Sequence, residues 1–128
     1  MGCRLRSLLG DGEFVSKLAH LIAQEEGYGI PGALPTRDNN PGDLRHSPHS
    51  FHLGDPNAIG QIDTPEDGWA DLERQLKLFA DRGMTLREAI YEFAPPNEND
   101  SAGYLAYVCK GLGVSEDTSV AEALEIPQ

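Results

Sequence analysis

Apolar residues near the start of the chain recur with the period of a helix. Between Glu13 and Glu26 they fall at Phe14, Val15, Leu18, Leu21 and Ile22, at offsets 0, 1, 4, 7 and 8. Those offsets share one stripe of a helix surface. Gly27 and Gly29 follow and supply the stop, because glycine takes the left-handed turn that closes a helix without steric cost. Periodicity is then lost. Residues 27–57 hold five prolines, Pro31, Pro35, Pro41, Pro48 and Pro56, which deny the stretch a helix. A loop this long in a small domain is usually functional. Ala58 to Asp63 predicts a short strand, with Leu44 and Arg45 as its candidate partner.

Helical spacing returns at Thr64-Pro65-Glu66-Asp67, a capping threonine followed by proline at the first helical position. Trp69, Leu72, Leu76 and Phe79 repeat at intervals of three and four, and Gly83 ends the run. Thr85 with Glu88 three residues on is a capping box, opening a helix with Leu86, Ala89, Ile90 and Phe93 inward, which Pro95-Pro96 stops. Asn99 or Asp100 caps the next helix, carrying Tyr104, Leu105 and Val108 and closed by Gly111 and Gly113. Ser119 with Glu122 opens a last short one. The pattern predicts a mainly α (α+β) single domain over 1–128, with a long loop or small β-hairpin region between its first two helices. Residues 1–12 form an N-terminal lead-in and 115–128 a short helix and tail.

Composition supports a packed core and narrows the partners. The chain has 128 residues, 39% of them hydrophobic, with one Trp, four Tyr and four Phe. Ten Lys+Arg against 21 Asp+Glu give a net charge of −11, which excludes nucleic acid, since neutralising phosphates requires clustered cations. The sequence has no apolar run long enough to span a membrane. Cys3 and Cys109 are too few for a disulfide scaffold or a zinc knuckle and leave a single bridge between them open. The start M-G-C-R-L-R-S-L-L-G has an apolar run of two residues, short of the roughly seven of a secretory signal. Arg6 stands where a myristoylation signal takes Ser or Thr. The expectation is a monomer made in the cytoplasm, without a recognisable signal peptide and without a cofactor.

Two clusters could carry chemistry. Glu25 and Glu26 end an apolar helix directly before glycine. The C-terminal dipole disfavours charge there, and partial burial against Leu21 and Ile22 acts the same way. A carboxyl with a raised pKa is what protonating a glycosidic oxygen requires; an exposed helix-end pair is the plainer alternative. His46, His49 and His52, with Asp43 and Asp55 nearby, offer imidazoles and carboxylates of the kind zinc binds, so a zinc-dependent peptidase or amidase is the rival enzyme class. Their spacing lacks the helical i, i+4 pair, which favours a solvated loop and no metal. Trp69 could stack on a sugar, but its place in the stripe favours core packing.

In order along the chain come E-G-Y at 26–28, R-D-N-N-P-G-D-L-R at 37–45, G-Q-I-D-T-P-E-D-G-W at 60–69, F-A-P-P-N-E-N-D at 93–100 and Y-L-A-Y-V-C-K-G-L-G-V at 104–114. This series resembles the phage and prophage muralytic proteins of the lysozyme-like superfamily, related to lytic transglycosylases. The resemblance implies a lysozyme-like domain, peptidoglycan glycan strands as the partner, and phage-type delivery to the cell wall. It implies Glu26, rather than Glu25, as the catalytic acid at the MurNAc-GlcNAc β-1,4 bond, with Gln61 and Tyr104 as substrate contacts. Asp43 stands where the family usually carries Asn, which adds a possible second carboxylate.

With no second carboxylate fixed, assistance by the substrate's 2-acetamido group is preferred. Glu26 would then deprotonate the MurNAc 6-hydroxyl and close a 1,6-anhydro ring. A muramidase instead needs a second carboxylate about 5 to 9.5 Å away, for which Asp38, Asp43 and Asp63 are the candidates. Residues 27–63 should form one wall of a glycan cleft with Glu26 at its floor. Asn39, Asn40, Gln61 and Arg45 would offer hydrogen bonds to sugar, and Tyr104 would face them from the other side. For Asn39, bracing the loop is the equal alternative. The non-enzyme alternative is a glycan-binding or virion structural module of the same fold.

Overall fold

The computed structural model describes residues 15–52 and 58–128. The lead-in over 1–12, Phe14, Asp55 and any bridge from Cys3 lie outside the described residues. Those described form six helices: α1 Lys17–Glu26, α2 Leu34–Arg37, α3 Pro65–Asp81, α4 Leu86–Phe93, α5 Ser101–Leu112 and α6 Val120–Leu124. The protein is mainly helical.

Local chemistry sets most of the boundaries. Ser16, Thr64, Thr85, Asp100 and Ser119 each accept a backbone N–H in the first turn of the helix they cap, satisfying donors that a helix start leaves open. The Thr85–Glu88 capping box is reciprocal, and of the two candidate caps for α5 it is Asp100 that serves. Gly27 and Gly113 close α1 and α5 in the left-handed conformation, at φ 91° and 74°.

The core lies where α1, α3, α4, α5 and α6 meet. Leu18, Ile22, Leu72, Leu76, Leu86, Ile90, Leu105, Val108 and Val120 are buried there. Trp69 is partly buried against this core, with its ring 4.9 Å from His20 and edge-on to Tyr28 at 5.3 Å, so it packs rather than presenting an open face. Gly111 does not close α5. It lies inside the helix, where an added Cβ would come within 2.6 Å of Leu21, and its missing side chain lets α1 approach.

The segment from 27 to 63 differs from expectation in two ways. Its prolines do not exclude helix: Pro35 sits in the first turn of α2, where no N–H is needed and its fixed φ suits the helix. The expected strand over 58–63 is reduced, among the described residues, to one antiparallel bridge between Gln61 and Phe51. Leu44 joins this edge only by accepting the Gly60 N–H at 2.9 Å. No described helix is long and apolar enough to cross a membrane.

Candidate active site

Glu26 is the last residue of α1. Tyr28 N–H donates back to Ala23 carbonyl at 2.9 Å and Gly27 N–H to Gln24 carbonyl at 3.1 Å, so the turn that ends the helix fixes where this carboxyl stands. Glu25 is exposed, whereas Glu26 is half-buried and lines a groove of about 610 Å³. The loop from Gly42 to His46, the end of α4 with the turn to Asn99, and Gln75 and Phe79 of α3 line it as well.

The Tyr104 hydroxyl donates to Glu26 Oε2 at 2.8 Å. Burial pushes the Glu26 carboxyl up to about 7; the Tyr104 hydrogen bond pulls it down, and the negative charges of Asp43 and Glu25 push it up further. Burial outweighs the hydrogen bond because a single neutral donor replaces only part of the lost hydration. Burial and the adjacent Glu26 charge in turn hold the Tyr104 phenol far above its ordinary value. The phenol therefore stays a donor.

Asp43 shares the groove. Burial and the neighbouring Asp38 raise its pKa, against the pull of Arg45. Its backbone is left-handed at φ 52°, which Asp and Asn tolerate better than other side chains. Its Oδ1 is closed from solvent without a hydrogen-bond partner among the described residues.

The structure divides the residues expected to bind sugar. Glu26, Asp43 and Arg45 line the groove together. Asn40 does not. It is fully buried; its amide nitrogen donates to Leu44 carbonyl at 2.8 Å and Gly60 carbonyl at 2.9 Å, and its oxygen accepts Leu44 N–H at 3.0 Å. Asn39, left-handed at φ 53°, donates to the carbonyls of Ile62 and Asp63 at 2.9 and 3.1 Å. Both asparagines clamp the 38–44 loop to the 60–63 edge. Gly42 of the same string serves this packing: a Cβ there would meet Leu72 at 2.8 Å. Across the loop, a Cβ on Gly68 of α3 would strike the Asn39 carbonyl at 1.9 Å.

Gln61 is not part of the groove lining; its backbone pairs both ways with Phe51, at 2.8 and 2.9 Å. Tyr104 reaches the site through Glu26 instead of through an open ring, being only 5% exposed. Asp38 and Asp63 lie outside the groove lining, and Asp63 is exposed.

The histidines do not converge. His49 turns to α3, where Asp71, 2% exposed, takes its backbone N–H at 2.9 Å and its Nδ1 at 2.6 Å. His46 and His52 pair ring to ring at 5.0 Å, and His52 Nε2 contacts the Arg45 carbonyl at 2.6 Å. No group of three or more metal-ligating side chains gathers among the described residues. The His49–Asp71 pair fastens the groove-side loop to α3. His49→Ala leaves a buried carboxylate short of a partner and should cost about 1–3 kcal/mol, read as a shifted urea midpoint at unchanged slope. An unaltered midpoint would make the contact incidental.

Sequence reasoning missed Gln75, Phe93, Glu92, Glu98 and Asn99 as groove lining. A signal for Gln75 existed, since it is a polar residue set within the Leu72, Leu76 and Phe79 face. Against known proteins, the chain matches no family model, no curated protein and no solved structure.

Proposed function

We propose that this protein is a peptidoglycan-cleaving glycosidase of lysozyme-like type, acting on the β-1,4 bond between MurNAc and GlcNAc. The observation that carries the reading is a carboxyl raised to about 7 in an open groove, held by the Tyr104 hydroxyl. A group with that value keeps a large share of its protons near neutral pH and gives them readily, as a general acid requires. Glu26 protonates the glycosidic oxygen as the bond to the anomeric carbon breaks. Tyr104 is a positioning residue, fixing the carboxyl rotamer from behind. The order of motifs, E-G-Y to Y-L-A-Y-V, supports the same substrate through its resemblance to phage muralytic proteins, and with it phage-type delivery to the wall.

Digestion of purified sacculi followed by mass spectrometry of the released muropeptides tests the reading. Soluble disaccharide-peptides are the expected result. Sacculus binding without any release would make the protein a glycan-binding module. Chelator is expected to leave the release unchanged. Activity lost to chelator and restored by zinc would transfer the protein to the metallopeptidase class.

A further inference from the structure

Building on the glycosidase reading, we propose that Asp43 is the second carboxylate of the site. It is the base that deprotonates a water attacking the anomeric carbon, so that the bond is hydrolysed instead of being closed into a 1,6-anhydro ring. Of Asp38, Asp43 and Asp63, only Asp43 lines the groove that Glu26 lines.

The backbone at Asp43 is held on both sides. Its own N–H donates to the Asn40 carbonyl at 2.9 Å, and the next N–H, of Leu44, donates to Asn40 Oδ1 at 3.0 Å. A left-handed non-glycine residue persists when its surroundings over-determine it, and such residues cluster at functional sites. The closed-off Oδ1 without a partner is a second cost that packing alone does not repay. Burial and the Asp38 charge raise the Asp43 pKa and Arg45 pulls against them, so the carboxyl that takes the proton from water is one whose proton affinity its surroundings increase. The two carboxyls differ in what holds them: Glu26 accepts the Tyr104 hydroxyl at 2.8 Å, whereas Asp43 stands on the loop fixed by Asn40.

The step balances. The Glu26 proton passes to the glycosidic oxygen, and the C1–O bond breaks with its electron pair on that oxygen. Water forms the new C1–O bond and yields its proton to the Asp43 carboxylate. Solvent then carries a proton from Asp43 back to Glu26. An amide at position 43 could not accept that proton, and the anomeric carbon would be left to the sugar's own 6-hydroxyl.

The test is product analysis of sacculus digests by wild type, Asp43→Asn, Asp43→Gly and Asp63→Asn. Both changes at 43 suit a left-handed backbone, so folding is retained and is checked by circular dichroism. Wild type should release muropeptides with reducing MurNAc ends. Both Asp43 variants should form them at least about 100-fold more slowly, with residual product carrying the anhydro ring. Asp63→Asn should match wild type. Anhydro products alone from wild type, or undiminished hydrolysis by Asp43→Asn, would overturn the role of Asp43 while leaving Glu26 as the acid. Absence of any product from wild type would overturn the glycosidase reading itself.

Discussion

Glu26→Gln should abolish wall lysis, lowering the rate of muropeptide release by at least about 10³-fold, with the fold intact. The amide nearly preserves the carboxyl's shape, and its oxygen still accepts the Tyr104 hydroxyl, which in the wild type sits 2.8 Å from Glu26 Oε2. Only the transferable proton is removed. Glu25 is exposed and lies outside the groove lining, so Glu25→Gln should retain most activity. A dead Glu25 variant beside an active Glu26 variant would reverse the assignment.

The raised value also sets a pH dependence with a definite sign. The acid works only while protonated, so wild-type activity should fall as pH rises through about 7. Stability follows the same direction. A carboxyl whose folded pKa lies above its unfolded value favours the folded state below the unfolded pKa, and that contribution is lost as pH rises through the folded one. Glu26→Gln should therefore melt higher than wild type at pH 8 and closer to it at pH 5. A site residue that lowers stability for function is a familiar trade. Equal melting differences at both pH values would argue against a strained Glu26.

Asn40→Asp should cripple the fold instead of weakening substrate affinity. The side chain is fully buried and its amide nitrogen serves two carbonyls, one on Leu44, 4 residues on, and one on Gly60, 20 residues on. A carboxylate has the same outline but no N–H. It would turn an acceptor toward two acceptors and leave both unsatisfied, at about 1–3 kcal/mol each. A domain of this size has only about 5–15 kcal/mol of stability in all. The melting temperature should drop by roughly 10 °C or more, and lysis should fall with the folded fraction. A variant that melted like wild type but bound glycan weakly would restore Asn40 to the sugar-contacting role the sequence suggested.

The fates of Asn40, Tyr104 and Asp43 mark the division between what was legible in the chain and what was not. Helix starts at Thr64, Thr85, Asp100 and Ser119 could be read because a cap bonds to a backbone group three residues away, within the same stretch of sequence. The apolar stripes could be read for the same local reason, since periodicity alone decides which face is buried. Glu26 was legible as the last residue before a glycine stop, a position that fixes both its helix-end electrostatics and its place at the mouth of a loop. The roles of polar loop residues depended on longer-range partners. Asn39 and Asn40 find carbonyls 20 or more residues away, and no spacing rule says whether an amide turns inward to backbone or outward to sugar. Tyr104 meets Glu26 across 78 residues, and only the packing of α5 on α1 converts a candidate sugar contact into a buried donor. Asp38, Asp43 and Asp63 were all open as the second carboxylate on the sequence. The clamp made by the two asparagines separates them, because it leaves Asp43 alone of the three in the groove.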